Sequence, residues 1–281
     1  MSKEKKSVHP EYQYLELLAR ILKEGKTKQT RGIVPIKSVF GAQLRFDLRY
    51  GFPLMTTKKM FGLKALTHEM LWFISGKCQN PEYLNKNGVK IWDGFQDDGS
   101  VKEGTLGRIY GVQWRHWKRP DGTEFDQLQW AIDEVKNNPN SKAIIVSGWN
   151  AGELSEMRLP PCHTMFQLDV IKGKLYLQLY QRASDVFLGL PFNIAQYTQL
   201  LMMIAKITGL EAREFVISIG DAHLYTNQLE AAKEQLQRKP LPFSQLKIHG
   251  DQKTIDDFKF DDFEVINYKS HPAIKVPIVI I

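Results

Sequence analysis

The stretch that most limits how this 281-residue chain can fold begins at Lys142. From there the texture turns to short β-rich runs: Ala143-Ile-Ile-Val-Ser147, His163 to Val170 and Lys174 to Gln181. In the last run Leu175, Leu177 and Leu179 alternate with Tyr176, Gln178 and Tyr180, the two-residue period of a strand with one apolar face. Lys172-Gly173 between the second and third runs reads as a hairpin turn. Just downstream, Pro191 to Thr208 is long, strongly apolar and closed by Gly209, which predicts a buried central helix with proline in its first turn.

The first half is helical in pattern. Leu15, Leu18, Ile21 and Leu22 recur at helical spacing and predict a helix over Glu11 to Glu24, ended by Gly25. A second helix is expected over Leu63 to Ile74, stopped by Ser75-Gly76, and a third over Asp126 to Val135, before the turn-forming Asn137-Asn-Pro-Asn140. Helices with largely antiparallel strands and no βαβ rhythm give an α+β class, with a mixed, mainly antiparallel sheet packed with helices. No internal repeat and no Pro/Gly/Ser-rich linker divides residues 1–281, so a single domain is expected, with residues 1–10 as a flexible tail.

A composition of 43% hydrophobic and 25% charged residues is that of a globular protein with a sizeable core. No run reaches the roughly 18 apolar residues that span a bilayer, and Met1-Ser-Lys-Glu-Lys-Lys has no apolar run behind its charges; a cytoplasmic protein without a signal peptide is expected. Two cysteines, Cys78 and Cys162, cannot build a disulfide framework, and no Cys/His spacing suits a metal site. The net charge of +7 favours anionic partners, nucleic acid or phosphorylated and carboxylated small molecules. The basic residues are dispersed, and neither nucleic acid as main substrate nor a membrane is expected.

Leu159-Pro-Pro-Cys-His163 sets a thiol at a strand start with an imidazole beside it. Neighbours on a strand point to opposite faces, so His163 is poorly placed as a base for Cys162, which argues against a thiol hydrolase. Gln181-Arg-Ala-Ser-Asp185 puts polar and charged groups into apolar surroundings. Arg182 beside a thiol would lower its pKa and hold a phosphate, and Asn193 offers a donor and an acceptor to a planar ring. Glu69 lies among apolar helical neighbours; a buried carboxylate drifts to a raised pKa and can shuttle protons.

Together these segments resemble the thymidylate synthase family, over about Tyr12 to Lys275. The matching stretches are Ser38-Val-Phe-Gly41, Phe52-Pro-Leu-Met-Thr-Thr-Lys58, Glu69-Met-Leu-Trp-Phe, Ile91-Trp-Asp93, Tyr110-Gly-Val-Gln-Trp-Arg115, Leu159-Pro-Pro-Cys-His163, Asp185-Val-Phe-Leu-Gly-Leu-Pro-Phe-Asn193 and Gly220-Asp-Ala-His-Leu-Tyr225.

The resemblance implies one-carbon transfer from 5,10-methylenetetrahydrofolate to C5 of a pyrimidine nucleoside 5′-monophosphate. Cys162 would add to C6 as nucleophile. Glu69, Tyr110, Asn193, Asp221 and Arg182 would complete the catalytic set. Arg31, Lys142, Gln181, Arg182, Ala183, Ser184, Asp185, Asn193, His223 and Tyr225 would hold the nucleotide. Lys58, Ile91, Trp92, Asp185, Leu188, Gly189 and Phe192 would hold the folate, with Lys58 meeting its glutamate tail. A homodimer is implied too, with residues near Lys142 reaching the partner's site.

The departures from the family pattern cluster on the nucleotide side. Ser141-Lys142-Ala143 replaces an Arg-Arg pair and Arg182-Ala183 an Arg-Ser, weakening phosphate contacts that lysine cannot reproduce bidentately. Arg108 replaces a proline and brings a positive charge, Phe95 replaces a tryptophan, and both the segment between Lys58 and Glu69 and the C-terminal tail run longer than the pattern. Tail closure decides whether hydride or water reaches the exocyclic intermediate. The expectation leans to a nucleotide 5-hydroxymethylase on UMP, dUMP or CMP, ribonucleotides included; the alternative is thymidylate synthase proper, dUMP to dTMP with dihydrofolate as co-product.

Overall fold

The computed structural model describes residues 9–30, 32–60, 63–95 and 104–277. Arg31, most of the N-terminal segment expected as a tail, Phe61-Gly62 and the last four residues lie outside them, as does the side chain of Phe95.

The chain opens with α1 (Glu11–Glu24), the short β1 (Lys26–Lys28) and the long β2 (Ile36–Asp47). Then come α2 (Leu63–Ile74), α3 (Glu82–Lys86), α4 (Gly111–Arg115), the small hairpin β3 (Trp117–Lys118) and β4 (Glu124–Phe125), and α5 (Gln127–Asn137). The second half holds β5 (Ile145–Ser147), β6 (His163–Ile171), β7 (Lys174–Asp185), α6 (Gly189–Thr208), β8 (Glu211–Tyr225), α7 (Leu229–Leu236), β9 (Gln245–Ile248) and β10 (Phe263–Ile266).

Helices α1 and α2 fall where the apolar periodicity puts them, and Asp126 proves to be the N-cap of α5, its carboxylate accepting from Gln129 N. β6 and β7 pair from Ile171 opposite Lys174, closed by Lys172 and Gly173 at φ 50° and 74°, the left-handed pair of a two-residue hairpin turn. The alternation in β7 holds: Leu175, Leu177 and Leu179 are buried.

The main sheet has the order β1-β2-β8-β7-β6-β5. Every neighbouring pair in it is antiparallel except β7 and β8, which run parallel. The expectation of no βαβ unit is thus corrected: β7-α6-β8 is one. The 20 residues of α6 span about 30 Å, enough to carry the chain back to the start of a parallel strand. Helix α6 starts two residues before Pro191 and buries residues on all sides, with Gly209 as a left-handed C-cap. Strands β2 and β8 were not foreseen at all.

Helix α6 covers β7 and β8, α1 covers β2, and α5 covers β5 and β6. On the opposite face of β6 and β7, Met165, Gln167, Asp169, Ile171, Gln178 and Tyr180 are exposed. No helix among the described residues is long and apolar enough to cross a membrane.

Candidate active site

The parallel pair sets the site. Because β7 and β8 point the same way, their C-terminal ends lie side by side, with Ala183 beside Asp221, Ser184 beside Ala222 and Asp185 beside His223. β6 enters at that end, His163 opposite Gln181, and α6 begins four residues past Asp185. The carboxyl ends of parallel strands, next to a helix N-terminus, are a common place for ligands to gather. Gly220 lets the strands approach, since a Cβ there would stand 2.7 Å from Arg182 O.

Cys162 sits one residue before β6, half-buried. Its backbone N–H donates to the Tyr110 hydroxyl at 3.1 Å, and its carbonyl accepts from Arg182 N at 2.9 Å. The Arg182 guanidinium is locked onto the approach to the thiol, donating through Nε to Pro161 O at 3.0 Å and through Nη2 to Pro160 O at 2.6 Å. Burial pushes the Cys162 thiol up, against the pull of Arg182 and of the Tyr110 hydroxyl. The expected net lowering by arginine is therefore corrected: Arg182 acts in the predicted direction, but desolvation is the larger effect.

Tyr110 reaches Cys162 from a strained backbone, at φ 38° and ψ −102°, a conformation that costs of order 1–3 kcal/mol in a non-glycine residue. Its ring stacks on Phe73 at 4.7 Å. Gly111, next in sequence, packs so closely that a Cβ would meet Phe73 O at 1.8 Å.

One aromatic layer away, Glu69 on α2 accepts from Trp92 Nε1 at 2.6 Å and from Gln196 Nε2 at 2.8 Å. Burial raises its pKa, with those two bonds opposing. The raised value foreseen from its apolar company is found, while its two partners were not foreseen. Gln196 lies one helical turn after Asn193, a spacing that could have revealed it.

Asn193, in the first turn of α6, accepts through Oδ1 from Gln181 Nε2 at 3.0 Å. His163 packs against the rings of Tyr110 and Tyr197, at 5.3 and 5.2 Å, and burial takes it down to about 4, so it is neutral near pH 7. That environment directs the imidazole into the core, as the strand alternation predicted.

On the far side, Asp221 accepts from Ser38 Oγ at 3.0 Å, meets His223 Nδ1 at 3.0 Å and pairs with Lys28. Burial alone would raise this carboxyl, but the contacts with His223, Lys28 and Ser38 win and hold it down at about 2. The Tyr225 hydroxyl is pushed up to about 12 by burial, with Asp185, Cys162 and Asp221 adding to it. Asp185 caps the entry to α6, Oδ1 accepting from Phe187 N at 2.9 Å and Leu188 N at 3.0 Å, while Oδ2 accepts from Gln228 Nε2 at 2.8 Å. Gln228 also holds Tyr225 N and is a further residue the sequence did not single out.

Other candidates are dispersed. Trp92 is buried, Ile91 is exposed, and Leu188, Gly189 and Phe192 are half-buried where α6 begins. Lys58 is turned inward: its amine donates to Phe187 O and lies 3.5 Å from the Phe187 ring centroid, and burial lowers its pKa to about 7. Lys142 is exposed and lines a groove of about 500 Å³ with Arg45, Gln167, Tyr176 and Glu214, away from the chain's own Cys162 cluster. Arg108 does not offer a free positive charge, because its Nε donates to Glu153 Oε2 at 2.8 Å.

Fold and site together carry the groups of one class of enzyme: a half-buried thiol, an arginine and a tyrosine hydroxyl against it, and a buried carboxylate of raised pKa nearby, a set suited to covalent and proton-transfer chemistry. Comparison with known families makes that class specific. The thymidylate synthase family model matches residues 12–280, and the chain belongs to that family. Membership supports folate-dependent one-carbon transfer to C5 of a pyrimidine nucleotide.

Proposed function

We propose that the protein is a pyrimidine-nucleotide 5-hydroxymethylase that works through a covalent bond between Cys162 and C6 of a nucleoside 5′-monophosphate. The observation that carries the reading is the convergence of Cys162, Tyr110 and Arg182 with Asn193 and Glu69 at one end of the sheet. As the Cys162 sulfur bonds to C6, electron density moves to C5 and O4. Glu69, kept protonated into a higher pH range by burial, serves as proton donor on the O4 side and as acceptor when C5 loses its hydrogen. Gln181 takes Asn193 Oδ1, which leaves the Asn193 amide nitrogen to donate to a base carbonyl. That favours uracil, whose position 4 is an acceptor, over cytosine. The paired Asp221 and His223, with Tyr225, are assigned to the sugar.

The residues present fit a reduced folate: an Asp185 carboxylate fixed by three donors, beside the half-buried Leu188 and Phe192, suits a flat ring bearing N–H groups. When bound, methylenetetrahydrofolate supplies the one-carbon unit. Hydroxymethyl is preferred as product, and ribonucleotides are included among substrates, because Lys142 and Ala183 weaken the phosphate and sugar contacts. A homodimer is part of the reading. It is supported by the exposed Met165, Ile171 and Tyr180 on the open sheet face and by Lys142 standing there rather than at its own Cys162.

A second reading, thymidylate synthase proper, is favoured by the uracil-compatible Asn193 and by Trp92 with the Asp221, His223 and Tyr225 cluster, which match the family's segments. Incubation with methylenetetrahydrofolate and each of dUMP, UMP, dCMP and CMP, followed by mass spectrometry, separates the two. A gain of formaldehyde's mass is expected, with UMP reacting fastest. Methylation of dUMP with dihydrofolate appearing would establish the second reading instead.

A further inference from the structure

Tyr110 holds its strained conformation between two side chains that converge on one atom. Arg108, two residues before it, donates through Nε to Glu153 Oε2 at 2.8 Å, and Gln113, three residues after it, donates through Nε2 to the same oxygen at 2.7 Å. The other carboxylate oxygen, Oε1, stands 3.2 Å from Lys118 Nζ. The Arg108 and Glu153 side chains are 12% and 10% exposed, so this is a largely buried ion pair whose carboxylate is held by three donors. Gln113 also donates to Arg108 O at 2.8 Å and accepts from Asn150 Nδ2 at 3.3 Å, while Arg108 makes a further bond to His116 O.

Glu153 lies in the turn Ala151–Glu156 that leads to Pro160, Pro161 and Cys162. The backbones on either side of the pair are stitched as well. Gly107 and Met157 form an antiparallel bridge, Arg108 N donates to Glu156 O at 3.2 Å, and Arg158 N donates to Leu106 O at 3.1 Å. Gly107, at φ 71°, cannot carry a side chain there, because a Cβ would lie 1.8 Å from Glu156 O. The segment bearing the Tyr110 hydroxyl and the segment bearing the Cys162 thiol are therefore fastened at their bases, and the Tyr110 to Cys162 bond joins their tips.

We infer that Glu153 is a positioning residue for the reaction: its carboxylate, gripping Arg108 and Gln113 at once, fixes the strained Tyr110 turn so that the hydroxyl meets Cys162. It touches no reacting atom. The inference rests on the proposed nucleophile role of Cys162, and its test reads the thiol without any substrate. An ion pair this far from solvent adds little net stability, but a carboxylate gripped by three donors holds the groups around it in one geometry.

The experiment compares wild type, Glu153→Gln and Glu153→Asp by the pH dependence of Cys162 alkylation with iodoacetamide, the adduct located by peptide mass spectrometry, alongside kcat and KM. Removing a negative charge by itself lowers the pKa of a nearby thiol, whereas losing the Tyr110 hydroxyl raises it. The sign therefore separates positioning from simple electrostatics. Glu153→Gln is expected to move the alkylation midpoint up by roughly half a pH unit. It is also expected to lower kcat by about 10-fold or more with KM within about threefold, and Glu153→Asp to recover part of both. A midpoint that stays or falls overturns the inference, as does a loss of kcat that tracks only a drop in Tm. Should Glu153→Gln fail to fold, Glu153→Asp is judged by the same midpoint. A wild type that turns over no pyrimidine nucleotide would remove the proposed function, while the alkylation result would still decide the role of Glu153.

Discussion

Trp92 donates its indole N–H to Glu69 Oε1 at 2.6 Å while its ring lies edge-on to Tyr110, 5.8 Å between centroids. The bond ties a carboxylate of raised pKa to the aromatic layer that ends at Cys162. Trp92, expected on the folate side, thus also has a place on the proton side, and folate packing against it would be felt by Glu69.

Replacing Glu69 should separate its chemistry from its cost to the fold. Burial raises the folded pKa above the unfolded value, so the stability it contributes is full in acid and is lost as the pH rises through the folded value. Glu69→Gln is expected to gain stability relative to wild type as pH rises above about 4.3, while kcat falls by roughly 10²-fold. Urea melts at acid and neutral pH check the first part; a difference that does not change with pH would contradict the raised value.

Cys162→Ala should reduce turnover by at least about 10³-fold and leave nucleotide affinity nearly intact, since a thiol contributes little contact area and the whole covalent step. Calorimetric titration with UMP and dUMP, beside a turnover assay, tests both. Substantial residual turnover would move the nucleophile elsewhere.

How much of this could be read from the sequence depended on distance along the chain. Helices α1 and α2 were legible because apolar periodicity and a closing glycine are local signals, and the hairpin at Lys172-Gly173 for the same reason. Strand β8 was not: its 15 residues run through Glu211, Arg213 and Gly220 without a clean alternation, and only pairing on both sides with β2 and β7 makes it a strand. In the site, Cys162, Arg182 and Asn193 announced themselves as polar residues in apolar company. The bonds from Trp92 to Glu69 and from Arg108 to Glu153 join residues 23 and 45 positions apart, and nothing in either local pattern points to the other. The inward turn of Lys58 under the Phe187 ring was not legible, because a lysine is ordinarily expected in water.

Lys58 gives a stability prediction of opposite sign to Glu69. Its folded pKa of about 7, depressed by burial against the pull of Asp185 and Glu11, lies below the unfolded value. The stability it contributes is present above the unfolded pKa, near 10.4, and is lost as pH falls toward the folded one. Between about pH 10 and 7 wild type should lose up to about 1.4 kcal/mol per pH unit from this group, and Lys58→Met should remove that slope. Melts at pH 7 and 9 for both proteins check it; parallel pH profiles would mean the amine is solvated in solution.

The proposed preference for a ribonucleotide turns on Ala183 and Lys142. Ala183 pairs with Asp221 in the sheet, one residue from Ser184 and beside the His223 and Tyr225 segment, so a hydroxyl added there projects into the polar cluster assigned to the sugar and phosphate. Lys142 is exposed on the open sheet face, away from the chain's own Cys162, and in the proposed homodimer it serves the partner's site. If these two positions admit a 2′-hydroxyl by loosening the grip on the phosphate, Ala183→Ser combined with Lys142→Arg restores a hydroxyl and a bidentate fork and should favour the deoxynucleotide. The expected result is a shift of about 10-fold in the kcat/KM ratio of dUMP to UMP, with each single change giving part of it. On the proposed homodimer, the arginine's share should also vanish under conditions that dissociate it, which sedimentation of the same samples would show. An unchanged ratio in the double variant would place sugar selection at other residues and leave Ala183 and Lys142 without a part in it.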